Sequence, residues 1–456
     1  MFTQYRLYRL LVATGVMILV VVIGLAISSI QVRANQYQQA ANPTDLVAQG
    51  QQIFRFDTFG DEAFWGDQLR LHQAIEGSNF TGGVGPGLSP ANALSLGLKV
   101  DVEALPQSLQ TALQAGQVDL NDPANTLALI KLNSVVGVTG FFNTDGSLKS
   151  VGIQCALCHS TVDNSFAAGI GRRLDGWANR DLDIGAIINL APNLDPFATV
   201  LGVPVDTVKT VLTSWGPGKF DAELILDGQN HPTLIPPAFG LAGVNMHTWT
   251  GFGSIPYWNA FVAVLEMHGQ GNFFDPRLND AARFPVATAN RFFDVRSPGP
   301  DLVTPKLAAL HAYQLSLVAP DPPAGSFNAS AAAAGQIIFN GKGTCASCHQ
   351  PPLFTEPGWN MHSPAEIGID AIQANRSPEM AYRTAPLKGL WTHTKGGFYH
   401  DGRFATLLDV VNHYDTTFTL GLTSTEKANL VEYLMSLGGS STGLPSIPVF
   451  LPIITR

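Results

Sequence analysis

The chain contains four cysteines, and all of them fall in two copies of one pattern: Cys155-Ala-Leu-Cys158-His159 and Cys345-Ala-Ser-Cys348-His349. Two thiols about one helical turn apart reach the two vinyl groups of one haem, and the adjoining imidazole then reaches the iron. A thioredoxin-like dithiol or half of a zinc site needs the cysteines but not a histidine directly after the second, twice over. No thiol is left over, so the pattern predicts two covalently bound haem c groups with His159 and His349 as iron ligands. Attachment of this kind takes place outside the bacterial cytoplasm.

The N-terminus agrees with that compartment. Arg6 and Arg9 precede the uncharged stretch Leu10–Ile30, which as a helix at ~1.5 Å per residue just crosses a ~30 Å hydrocarbon layer. Positive charge on that flank keeps the N-terminus inside and sends the rest across. The stretch is longer than the ~7–15 apolar residues of a cleaved signal, so a retained anchor in the cytoplasmic membrane is expected, with Val32-Arg33-Ala34 as the alternative cleavage point.

The elements that must hold the haems are legible around the second motif. Gly50-Gln-Gln-Ile-Phe54 recurs as Gly335-Gln-Ile-Ile-Phe339, which suggests two related units. Ser330 is positioned to cap a helix over Ala331–Phe339, with Cys345 close behind. Thr423 and Glu426 form a capping box, Ala428, Val431, Leu434 and Leu437 recur at helical spacing, and Gly438 stops the helix. Before the first motif the path from Phe54 to Cys155 is far longer, an insertion carrying the Gly-rich loop Thr81–Pro90 and about two helices. That loop is read as a loop and not as a phosphate cradle, because no strand leads into it. Ala319-Pro-Asp-Pro-Pro-Ala-Gly-Ser326 is the clearest linker.

With 456 residues, the chain is long enough for two or three domains. Charged residues make up 13%, about half the usual ~25%, which excludes a disordered polyelectrolyte. The net charge of −9 argues against a nucleic-acid partner. The 45 glycines and 30 prolines imply many turns and long connections.

The two haem motifs, Tyr382-Arg-Thr-Ala-Pro-Leu-Lys-Gly-Leu390 and His400-Asp-Gly-Arg-Phe-Ala-Thr-Leu407 resemble the bacterial dihaem cytochrome c peroxidase superfamily, which includes MauG and the rubber oxygenases. The likeness runs from about Ala333 to Leu437 and is local elsewhere. It implies a mainly α fold of two cytochrome c-like haem domains with long loops: residues 35–325, enlarged by insertions, and 326–440, after an export segment 1–34 and before a tail 441–456. It further implies an exported oxidoreductase in which the first haem is open to hydrogen peroxide or oxygen. The second haem exchanges electrons with a donor protein or small redox partner. A dihaem oxygenase on an organic substrate and a non-catalytic electron carrier are the alternatives.

Residue by residue, the likeness implies a relay role for Trp258, which stands in Tyr257-Trp-Asn-Ala260 where the family places an aromatic between the haems. The family's catalytic glutamate is missing from Asp275-Pro-Arg-Leu278. Acid–base help is therefore assigned to Glu266 or His268 on an expected helix Tyr257–His268, where positions two apart do not share a face; Phe273 would instead give an apolar oxygen-binding side. Gly169-Ile-Gly-Arg172 replaces a stretch that carries a blocking histidine in peroxidases, so the first haem is expected to be open. The position that supplies the second haem's sixth ligand falls on Tyr414, with His413 and Met361 or Met380 left open. His400 is read as a partner of a haem propionate or of its own loop. A calcium ion would lie between Asn179 and the carbonyls of Thr384 and Pro386.

Overall fold

In the computed structural model, which describes residues 43–80, 82–358 and 360–439, the repeated motif makes the same contact twice. Gly50, in the helix Pro43–Phe56, crosses the helix Leu307–Ser316 so closely that a Cβ would stand 2.0 Å from the Ala309 carbonyl oxygen and 2.6 Å from Tyr313 Cβ. Gly335, in the helix Ala329–Asn340, crosses Ser424–Met435 with the corresponding distances 2.0 Å to the Asn429 carbonyl oxygen and 2.9 Å to Tyr433 Cβ. Each motif's fully buried phenylalanine then meets that tyrosine edge-on. Phe54 lies 5.5 Å from Tyr313 at 61°, and Phe339 lies 5.1 Å from Tyr433 at 67°. Only glycine lets two helix backbones approach this far.

The remainder is mainly helical, with six small two-stranded sheets among the described residues. The C-terminal core, including Phe339, Phe354, Leu407, Leu430 and Tyr433, draws only on residues between Ile338 and Leu437. Two larger clusters, around Leu69, Leu182 and Leu212 and around Phe54, Phe252 and Phe261, fill the N-terminal part. The Pro-rich connection lies along the C-terminal part, Ala319 O accepting from Gly439 N and Pro320 O from Trp391 Nε1. The two parts are joined by Arg376, 4% exposed, which pairs with Asp221 at 2.9 Å and Asp227 at 2.7 Å.

Local chemistry accounts for the element ends. Thr423 and Glu426 cap each other's backbone as expected. The Ala329–Asn340 helix starts earlier than the sequence implies: Asn328, not Ser330, is the cap, because its Oδ1 accepts from Ala331 N while its own N–H is held by Glu432. The insertion contains more than two helices. It holds a π-helical turn at Ala63–Gln68, four short helices, and the antiparallel hairpin Val138–Phe142/Leu148–Ile153, which leads through Gln154 into Cys155. From Gly82 to Ser89 the chain is irregular, and Ser89 caps the next helix.

The expected anchor at 10–30 and the tail from 441 lie outside the described residues. No helix among the described residues is long and apolar enough to cross a membrane.

Candidate haem centre

Both motifs form a single turn. His159 N–H bonds to Cys155 O at 3.2 Å and His349 N–H to Cys345 O at 2.9 Å, which places the two sulfurs and the imidazole of each motif on one tight stretch of chain. Each imidazole is oriented in the same way. His159 Nδ1 lies 3.1 Å from Pro236 O and His349 Nδ1 lies 3.2 Å from Phe354 O. A carbonyl only accepts, so Nδ1 carries the proton and the Nε2 lone pair is left for a metal. Burial pushes both imidazoles down to about 4, so both are neutral at pH 7. All four cysteines are unbridged.

The two motifs open onto one cavity of about 780 Å³, whose walls are otherwise largely aliphatic and aromatic. A largely apolar pocket with a few polar groups suits a flat, hydrophobic macrocycle with charged edges. The donor set also fits: two thiols and one pre-oriented imidazole at each end, facing a shared apolar space, match covalently attached haem at both positions. His159 and His349 would hold the iron, and the cysteine pairs would form the thioethers.

The structure brings the three candidates for acid–base and relay chemistry to this cavity. Trp258 lines it with Nε1 buried and unpartnered, its ring packed edge-on against Phe252, Tyr257 and Phe261. The expected helix Tyr257–His268 is not continuous. An α-helix, Ile255–Phe261, passes into a π-helical turn over Val262–Glu266, and His268 follows in the left-handed region at φ 61°. The wider winding changes which side chains share a face. Glu266 and His268 both line the cavity, against the expectation that only one would, because the chain leaves the helix between them and His268 is not at helical spacing from Glu266. The His268 ring stacks on Phe64 at 3.6 Å, and burial pushes it down to about 4.

Glu266 Oε1 is buried without a hydrogen-bond partner. Burial, with repulsion from Glu223 and Asp221, holds its carboxyl well above the usual range, which favours the protonated form. Glu223, which the sequence did not single out, is 5% exposed, lines the same cavity and is pushed up to about 7 by burial, against the pull of Arg376. Phe273 packs in the core beneath these residues and does not line the cavity.

Beside the second motif, Tyr414 lines the cavity, and burial raises its phenol above the usual value. His413 does not line it: its Nε2 lies 2.8 Å from Ile367 O, which fixes the proton there. Met361 and Met380 are also outside the lining, Met380 being exposed. His400 is buried at the cavity wall, stacked on Tyr382 at 5.3 Å, and its backbone oxygen accepts from Leu234 N across the two parts of the chain.

Two further expected positions lie as follows. Arg172 is exposed and paired with Asp163 at 3.1 Å, away from the cavity, so that position faces neither motif. Asn179 is buried, its amide donating to Gly97 O and Leu157 O and accepting from Asp181 N. It holds backbone in place, while Thr384 and Pro386 lie at the cavity wall. Thr384 O accepts from Thr355 Oγ1 at 2.6 Å. Arg180, Glu223, the buried His247 and the half-buried His393, all at the cavity, carry no local spacing signal that could have revealed them.

No family model matches the chain, and no curated protein matches it in sequence. Among solved structures it is similar to hydrazine synthase of Kuenenia stuttgartiensis, in a crystal pressurised with 20 bar xenon. That similarity has 20% identity and a TM-score of 0.29, over 46% of this chain and 74% of that one. It is also similar to a MauG-like protein associated with microbial copper homeostasis, with 17% identity and a TM-score of 0.30, over 46% of this chain and 76% of that one.

Proposed function

We propose that the chain is an exported dihaem c-type oxidoreductase in which the haem at Cys155–His159 meets hydrogen peroxide or oxygen and the haem at Cys345–His349 exchanges electrons with an external donor. The observation that carries this reading is the pair of C-x-x-C-H turns, each with its imidazole Nδ1 tied to a carbonyl, opening onto one shared cavity. The haems, when bound, supply the electron transfer and the site of oxidant reduction.

The protein side of the chemistry follows from the cavity wall. Reduction of hydrogen peroxide to two waters consumes two electrons and two protons. Glu266, unpartnered and shifted toward its protonated form, is placed to hold one transferable proton at its carboxyl, and Glu223, raised to about 7, to hold a second. His268, neutral and stacked on Phe64, offers an acceptor. Trp258 supplies an aromatic path in the wall common to both motifs. Tyr414 is the proposed sixth ligand of the second haem, and His400 secures the loop beside it. Delivery across the membrane and anchoring through residues 10–30 complete the proposal.

Mass spectrometry of the denatured protein should show two haem additions. Reduction under carbon monoxide should then shift the optical spectrum of one haem, and the reduced protein should turn over peroxide. A single addition defeats the dihaem reading. Two additions with neither haem binding carbon monoxide would make the chain an electron carrier.

A further inference from the structure

Two arginines line the cavity without an ion pair among the described residues, Arg180 and Arg383; Arg383 donates to the carbonyls of Thr384 and Met246, whereas Arg180 has no partner at all. It is 9% exposed, and its Nε, Nη1 and Nη2 are all buried without a hydrogen-bond partner. Its nearest carboxylate in sequence, Asp181, is engaged by Lys99 and Lys395 instead. Burial pushes the guanidinium down to about 10, so it keeps its charge at neutral pH. A buried, unpaired cation is among the most unfavourable arrangements in a folded protein and calls for an anion with matching geometry. The guanidinium fork matches a carboxylate, which it binds through two parallel hydrogen bonds.

The surroundings are built to leave that room. Gly396, on the loop after His393 in the C-terminal part, has φ +79°, and a Cβ there would stand 3.2 Å from Arg180 Nη1. Glycine thus satisfies the backbone and leaves space beside the guanidinium at the seam between the two parts. His393, on the same loop, is pushed down to about 3 by burial and by Arg180 itself, and so adds no charge there.

We infer that Arg180 binds a carboxylate inside the cavity, and that this carboxylate is a propionate of one of the two haems. The inference rests on the dihaem reading above. It makes Arg180 a positioning residue of the N-terminal part that fixes a cofactor edge against the C-terminal loop 393–397, and a determinant of that haem's potential. Removing the cation leaves the propionate charge uncompensated and favours the ferric state.

The test uses the holoprotein, with haem content checked first by mass; absence of haem would sink the underlying reading, not this one. In a potentiometric titration followed optically, Arg180→Gln should lower the midpoint of one haem and leave the other unchanged. Arg180→Lys, which keeps the charge but loses the fork, should lower the same midpoint by less and serves if the glutamine variant fails to accumulate. Added acetate should leave the wild-type spectrum and potentials unchanged. If acetate instead perturbs the wild type saturably, Arg180→Gln abolishes that effect and both potentials stay put, the carboxylate comes from solution and the propionate assignment is overturned. Unmoved potentials without any acetate effect would overturn the site altogether.

Discussion

Replacing Gly335 by alanine separates two opposed effects by sign. In an isolated helix the change is favourable by about 1 kcal/mol, because alanine loses less backbone freedom. At this crossing the new methyl would stand 2.0 Å from the Asn429 carbonyl oxygen, whereas ordinary contact begins near 3.4 Å. The obstacle is backbone inside a helix, which cannot rotate aside as a side chain can, so the Ala329–Asn340 and Ser424–Met435 helices must separate. That separation also loosens the Phe339–Tyr433 contact. Overpacking of this kind costs about 1–3 kcal/mol and belongs here at the upper end, leaving a net loss of about 2 kcal/mol after the propensity gain. For a urea m-value near 2 kcal/mol/M the midpoint of the C-terminal part falls by about 1 M. The assay is urea unfolding of the holoprotein followed by far-ultraviolet circular dichroism. Ile337→Ala, on the same helix at 75% exposure, is the control and should shift stability by under about 0.5 kcal/mol. A midpoint that rises in Gly335→Ala would refute the crossing geometry.

Other predictions follow from the cavity and the seam. Tyr414→Phe should alter or abolish the low-spin electron paramagnetic resonance signal of one haem, while His413→Ala leaves it in place; the reverse pattern would transfer the ligand role to His413. Glu223 is raised from an unfolded value of 4.5 to about 7, so its stabilising contribution is full below pH 4.5 and is lost as pH rises to about 7. The loss is of order 3 kcal/mol, and Glu223→Gln should flatten the stability–pH curve in that window; an unchanged slope would refute the shift. Arg376→Ala leaves Asp221 and Asp227 buried without their cation and should cost about 3–5 kcal/mol in chemical denaturation, whereas a loss below 1 kcal/mol would show that the pair does not join the two parts.

What the sequence revealed was chemistry carried by close neighbours along the chain. The C-x-x-C-H turns and the Thr423–Glu426 capping box are defined within five residues, so their geometry follows from spacing alone. The G-Q-x-I-F repeat was visible as a motif, but its meaning was not, because its partners lie in distant helices whose own shared pattern, Leu310-x-x-Tyr313-x-x-Ser316-Leu317 and Leu430-x-x-Tyr433-x-x-Ser436-Leu437, gains a meaning only once the two are packed together. Asn328 and Ser330 are both competent helix caps, and only the distant Glu432 decides between them. The same limit hid Arg180, Glu223 and Arg376, whose roles come from partners, or their absence, brought together by tertiary packing. Tyr414 was reached through family likeness, and its separation from His413 became visible only when Ile367 O was seen to occupy the histidine.

The π-helical turn at Val262–Glu266 gives the cavity a history that substitution alone would not. A helix advances about 100° per residue, so lengthening one by a single residue rotates every later side chain to a new bearing while leaving its identity untouched. Glu266 and His268 both follow that turn, so its phase sets the bearing of the pair, while the left-handed backbone at His268 ends the helical spacing between them. Deleting Val264 would restore ordinary winding and swing the pair out of register without altering either residue. Variation in this segment is therefore better followed by length than by letter: a one-residue gap ahead of Glu266 would remove the carboxyl from the cavity even where the glutamate itself is retained.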